Sequence, residues 1–295
     1  MKKFYRFGLL FSGLIFLMLS SCEIYNPSED QPSYIHIDSV GLTTDYITQG
    51  TASHKITDVW VYVDNELVGA FELPANIPVL KSGTHKVTIR PGIKLNGIAA
   101  TRSYYPFFNA FDTNNVQLEV GKQFVVYPTF RYGTYTKFSW KEDFESAGVS
   151  LERTTTSDTI IELTNDPNLM FHLANETNTY SAAIYLDQSH SIFEFRTINS
   201  YPLPIGGSPV FLELNYKTNN YFAIGVTGNT TGQQISTTVI YLSPNEKWNK
   251  IYINLTPTVS NMISAIDYKI FIRGVLDSGD SNGLILLDNI KLVHQ

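Results

Sequence analysis

"PVFLELNYKT" (residues 209–218) and "YFAIGVTG" (221–228) decide the fold. Both are short apolar runs of strand-favouring residues, and Asn219-Asn220 punctuates them as a turn would, so they read as a hairpin. The pattern continues through "ISTTVIYL" (235–242), "WNKIYINL" (248–255), "DYKIFIRGV" (267–275) and "GLILLDNIKLV" (283–293). Strand lengths and spacings of this kind suit a jelly-roll sandwich. One short helix is expected, at "VSNMISAI" (259–266), because no other segment carries a helical apolar stripe beyond two turns.

The rest of the chain agrees. With 18 Tyr, 18 Phe and frequent Asn, Gly and Pro clusters, the composition is that of an all-β protein. "DVWVYVDNELVGAFELP" (58–74) alternates at Val59, Val61 and Val63 and turns at Asp64-Asn65. "LKSGTHKVTIRPG" (80–92) turns at Ser82-Gly83, and "NVQLEVGKQFVVYPTF" (115–130) reads as a hairpin about Gly121-Lys122. The expected organisation is a leader over 1–21, a polar tether over 22–32, a small β-sandwich over 33–137 and a jelly roll over 138–295. Between the first hairpins, "GIKLNGIAATRSYYPFFNAF" (92–111) gathers aromatics around Arg102. Clustered aromatics of this kind are expected to pack the end of the sandwich or to meet the second domain.

Two resemblances bear on role. The hairpin followed by Gly83-Thr84-His85-Lys86-Val87 resembles the PEGA and carboxypeptidase-regulatory-like modules of bacterial envelope proteins, which are usually spacers. "KEDFESAG" (141–148), "EKWNKIYINL" and the terminal "LLDNIKLV" (286–293) resemble the jelly rolls of carbohydrate-binding modules and MAM-type domains. That second resemblance implies a Ca²⁺ where the first and last strands meet, with Glu145 and Asp288 as ligands and Asp143 nearby, a hard-oxygen set suited to calcium. It also implies that Trp248 packs into the core. A glycan-binding jelly roll stacks tyrosines on sugar faces beside a few polar groups. The candidates are Tyr216, Tyr221, Tyr241, Tyr252 and Tyr268, with Arg273. "LDSGDSNG" (276–283) reads as a polar loop rather than a calcium loop.

Catalytic signatures are absent from the sequence. The six histidines are scattered with no metal-protease spacing, and neither a nucleophile elbow nor a phosphate loop occurs. Asp187 and His190 are explained by a turn. The expectation is a non-enzyme, the alternative being a glycoside hydrolase whose carboxylates meet only in three dimensions.

The front end addresses the chain. Lys2, Lys3 and Arg6 precede an uncharged run, Phe7 to Leu19, too short to span a bilayer, and then Ser20, Ser21 and the single cysteine, Cys22. Leu19-Ser20-Ser21-Cys22 resembles the lipobox of bacterial lipoproteins, which implies cleavage before Cys22, acylation on its sulfur and usually on its amine, and stable anchoring by several chains. Without residues 1–21 the chain has 18 basic and 27 acidic residues, net −9. That balance argues against nucleic acid and against anionic membrane surfaces. The expected partners are a polysaccharide or surface glycan, the membrane through the lipid alone, and envelope proteins if the role is structural or adhesive. The expected place is the bacterial outer membrane, facing the surface or the periplasm.

Overall fold

A computed structural model describes residues 30–174 and 179–295. The first half holds β1 (Ser33–Ile37), β2 (Gly41–Thr43), β3 (Asp58–Val63), β4 (Glu66–Glu72), β5 (Ala75–Val79), β6 (Gly83–Lys94), β7 (Arg102–Tyr104), β8 (Phe111–Leu118), β9 (Gln123–Val125) and β10 (Thr129–Arg131). The second half holds β11 (Lys137–Glu142), β12 (Leu151–Arg153), β13 (Glu162–Thr164), β14 (Ser181–Asp187), β15 (Ile192–Thr197) and β16 (Val210–Thr218). It continues with β17 (Phe222–Asn229), β18 (Gln234–Leu242), β19 (Asn245–Asn254), β20 (Asp267–Val275) and β21 (Asn282–His294). Two short helices complete the described chain, α1 (Tyr46–Gln49) and α2 (Thr256–Asn261). The protein is all-β, a small sandwich followed by a jelly-roll sandwich.

In the first half, β4-β3-β6-β7, with β8 also on β6, faces the smaller sheets β5-β1-β9 and β10-β2. Val59, Val61, Val63, Val87 and Ile89 alternate inward, as the period-two pattern requires, and meet Ile35, Ile37 and Ile77. In the second half, β13-β14-β21-β16-β19, with β11 also on β21, packs against β12-β15-β20-β17-β18. Its core joins Leu212, Leu214, Ile251 and Ile253 to Phe193, Phe222, Ile224 and Ile272.

The two halves share one wall. Phe211, Tyr252 and Val293 belong to the six-stranded sheet of the second half yet pack into the first half's core. Inside that wall Glu213 and Lys250 are fully buried and 3.2 Å apart. Tyr105 and Tyr132 donate their hydroxyls to the Glu213 carboxylate at 2.8 and 2.9 Å. Burial and that carboxylate hold both phenols well above their ordinary pKa. Ser53 to Asn215, Thr51 to Asn289 and the Lys55 amide to the Tyr252 hydroxyl add further bonds across the wall.

Three local expectations need correction. Asp64 and Asn65, at φ 52° and 68°, do make the tight β3–β4 turn. By contrast β8 and β9 are not a hairpin: β8 pairs with β6, while β9 runs parallel to β1 in another sheet. Asn219-Asn220 is not a hairpin turn either, because β16 and β17 lie in opposite sheets. Asn220 is buried at this crossover. It donates to the Tyr221 and Val275 carbonyls and accepts from the Asp277 amide. The helix begins earlier than expected, at Thr256, with Pro257 in its first turn, where a missing N–H costs nothing.

Candidate functional site

The five-stranded sheet of the second half leaves its outer face open. Pairing registers set Glu194 opposite Arg273, Arg273 opposite Ala223, and Ala223 opposite Tyr241. Their chain neighbours Phe193, Ile272, Phe222 and Leu242 are core residues, so alternation turns this row outward. A cavity of about 480 Å³ lies over it, lined among others by Thr156, Ile192, Tyr221, Tyr241, Glu194 and Arg273. Its size falls within the ordinary range for small-ligand sites.

Each side chain of the row is positioned by its surroundings. A Cβ on Gly225 would lie 2.1 Å from the Phe271 ring, so the missing side chain is what lets that ring lie against the sheet. The Arg273 guanidinium sits 5.1 Å from the Phe271 centroid and donates to the Thr238 hydroxyl at 2.7 Å. Its other terminal nitrogen is 3.9 Å from the Glu194 carboxylate. Tyr221 is placed through its backbone: its amide donates to Asp277 and its carbonyl accepts from Asn220. Tyr221 and Tyr241 remain 53% and 69% exposed, which leaves both rings free for an incoming partner. Beside it, Glu152 bonds both Arg196 and Lys269. An aromatic pair beside one guanidinium and one carboxylate can stack on a sugar ring and exchange hydrogen bonds with its hydroxyls.

Of the six ligand-binding residues expected from sequence, Tyr221, Tyr241 and Arg273 meet at this cavity. The other three are withdrawn. Tyr216 and Tyr268 are buried in the second half's core, and Tyr252 is buried against the first half. Trp248 is half-buried at the edge of its sheet, edge-on to Phe171, with its indole N–H on the Met170 carbonyl. Glu194, Asp277 and Thr238 join the site unforeseen. Glu194 sits in "FEF", where alternation marks it as outward, but no local signal says what lies across from it.

The expected calcium ligands sit at a break in the sheet. β14 flanks β21 up to Leu287 and β11 flanks it from Ile290, so Asp288 and Asn289 face the gap between two strand ends. Asn289 is left-handed at φ 50°. Asp288 is buried, accepting from the Ser181 hydroxyl and the Asn289 amide, both at 2.6 Å. Glu145 accepts from the Thr179 and Tyr180 amides, and Asp143 from the Glu145 amide and the Tyr46 hydroxyl. Burial pushes the Asp288 carboxyl up to about 8, with Glu145 and Asp143 adding repulsion. The oxygens suit calcium in kind. Their arrangement forms no cage: among the described residues no three Asp, Glu, His or Cys side chains are placed to hold a metal.

Cys22 and the leader lie outside the described residues. In the 92–111 segment, Tyr105, Phe107 and Phe108 are buried between the halves, while Arg102 and Tyr104 stay at the surface. Asp187 accepts from the amides of Ser189 and His190, which makes that pair a turn. Asp277 and Asp280 close a turn through their backbones.

The sequence matches no protein-family model and no curated protein. Among solved structures, a carbohydrate-binding module of the β-sandwich superfamily aligns over 90% of this chain and 99% of its own, at 13% identity and a TM-score of 0.40. The xylan-binding domain from Paenibacillus barcinonensis covers 53% of this chain and 99% of its own, at 12% identity and 0.37. A module in complex with β-1,4-galactotriose covers 49% and 87%, at 14% and 0.31. All three scores lie below 0.5, so these likenesses carry no argument about what this chain binds.

Proposed function

We propose that this chain binds carbohydrate on the outer face of β12-β15-β20-β17-β18, without turning it over, while a lipid on Cys22 holds it to a bacterial outer membrane. The observation that carries the reading is the pair of exposed rings, Tyr221 and Tyr241, flanking Arg273 and Glu194 in one open cavity. Of the two carboxylates lining that cavity, Asp277 is bonded to the Tyr221 amide and Glu194 faces Arg273. Both therefore serve to hold the surface in shape, which suits recognition. The anchor rests on the lipobox-like run ending at Cys22. The residues expected to hold calcium stand apart from this face, because Asp288 lies in the opposite sheet, so binding is expected to survive EDTA.

The test is a glycan array on the full chain, run with calcium and again with EDTA, followed by titration of the best glycan against Tyr221→Ala and Tyr241→Ala. Each truncation is expected to weaken binding about tenfold or more, the scale of a stacked aromatic anchor. An array with no specific binding sinks the proposal, and so does binding that both variants retain. Labelled palmitate in growing cells tests the anchor: Cys22→Ser must lose the label and leave the membrane fraction.

A further inference from the structure

The first half carries a second open face, outside the site just described. On the outer side of β4-β3-β6-β7, Trp60 and Tyr62 project from β3, Arg90 from β6, and Arg102 and Tyr104 from β7. The Trp60 ring lies over Gly92, where a Cβ would meet it at 2.2 Å. The Arg90 guanidinium stands between two tyrosines, 5.5 Å from the Tyr62 centroid and 5.9 Å from that of Tyr104. Tyr104 is 51% exposed.

Charge pairing on this face singles out one group. Arg102 bridges Asp58 and Glu72 at 3.0 and 2.6 Å, and Lys94 takes the other Glu72 oxygen at 2.9 Å. Asp112, near enough for Arg90 to help hold its carboxyl below the usual range, is bonded first to Thr88 and also to Lys86. Among the described residues Arg90 has ring contacts and no carboxylate of its own. A guanidinium offers five donors in a fork that fits a carboxylate or sulfate, and it stays charged at any working pH. Tyr104 also borders a cleft of about 490 Å³ between the two halves, lined by Ser103, Asn254, Ser260 and Asn261, whose hydroxyls and amides suit sugar hydroxyls.

We infer that this face binds an anionic polysaccharide: one acidic group lies on Arg90, a sugar ring stacks on Tyr104, and the chain continues into the cleft. The occupant is chosen by charge complementarity local to this face, where Arg90 stands among aromatic rings while Arg102 and Lys94 beside it are held by carboxylates. The inference stands apart from the neutral-sugar reading of the other sheet, and its probes are different.

The test uses the full chain in affinity gels and calorimetry with polygalacturonate, dextran sulfate and neutral dextran. Polygalacturonate or dextran sulfate is expected to bind, and which of them binds tells carboxylate from sulfate; neutral dextran is expected to bind at least tenfold more weakly at this face. Arg90→Met, which keeps the apolar stem, is expected to lose about tenfold or more in affinity, the worth of one charge-assisted contact. Tyr104→Ala is expected to do the same, whereas Arg273→Met leaves this affinity unchanged. Binding to neither polyanion overturns the inference. So does polyanion binding that survives Arg90→Met, or that falls with Arg273→Met instead. Matching thermal midpoints for parent and Arg90→Met separate lost binding from lost folding.

Discussion

Replacing Asp288 with Asn should make the protein more stable in alkali, the reverse of what removing a buried hydrogen-bonding acid usually does. The carboxyl is buried at the β14–β11 gap and titrates at about 8, against 3.8 for an unburied aspartate. Between those values the folded chain keeps a proton that the unfolded chain has released. Linkage then makes stability fall as pH rises, by up to about 1.4 kcal/mol per pH unit. Across the whole window the loss amounts to about 6 kcal/mol, a large share of an ordinary domain's stability. Asn keeps an acceptor for Ser181 or the Asn289 amide and carries no charge, so Asp288→Asn should flatten the slope and gain about 3 kcal/mol or more at pH 9. The assay is urea unfolding between pH 5 and 9, followed by the fluorescence of buried Trp140. Parallel stability curves for parent and variant would refute the reasoning, because the slope would then arise elsewhere. Calcium gives a further arm. An ion drawn to Asp143, Glu145 and Asp288 would hold Asp288 ionised and flatten the parent's slope, while a slope indifferent to calcium leaves the gap a purely protein-made site.

Removing either member of the buried pair between the halves should be costly. Glu213→Gln strands Lys250 and should cost about 3–5 kcal/mol in chemical denaturation. Lys250→Met should cost less, because Glu213 keeps its two tyrosine donors. Gly225→Ala puts a methyl into the Phe271 ring and the Thr237 carbonyl, so it should destabilise by about 1–3 kcal/mol in the same assay and weaken sugar binding by displacing Arg273. Tyr241→Ala, on an exposed ring, should shift the thermal midpoint little while lowering glycan affinity, which separates contact from scaffold.

Sequence made the strands legible because turn residues punctuate them. Asp64-Asn65 is followed by a strand that pairs back on β3, and the alternation of Val59, Val61 and Val63 reports its own buried face. Legibility fails where a sheet is covered on both sides. β16 is buried along nearly its whole length, so "PVFLELNYKT" has no outward rhythm to reveal that its partners are β19 and β21 and not β17. The candidate site shows the same limit. Tyr252 does alternate away from Ile251 and Ile253, as a surface residue would, but the first half covers that surface. Tyr221 and Tyr241 escape because, among the described residues, none covers them on the outer face of the other sheet. Telling these cases apart requires knowing which face receives the neighbouring sandwich, information held in contacts between residues more than a hundred positions apart.

The place of β21 also bears on the order in which the two halves can fold. Its thirteen residues, Asn282–His294, follow every other strand in the chain, yet they form the middle of their sheet, bonded to β11, β14 and β16. Until β21 is available, β14 and β16 have no strand between them. The first half gains little by emerging earlier, because Val293 and the strands carrying Phe211 and Tyr252 close its core. Half-by-half folding, common among multidomain proteins, should therefore be disfavoured here. Both cores wait on β21, and a truncation before Asn282 should forfeit both sandwiches at once.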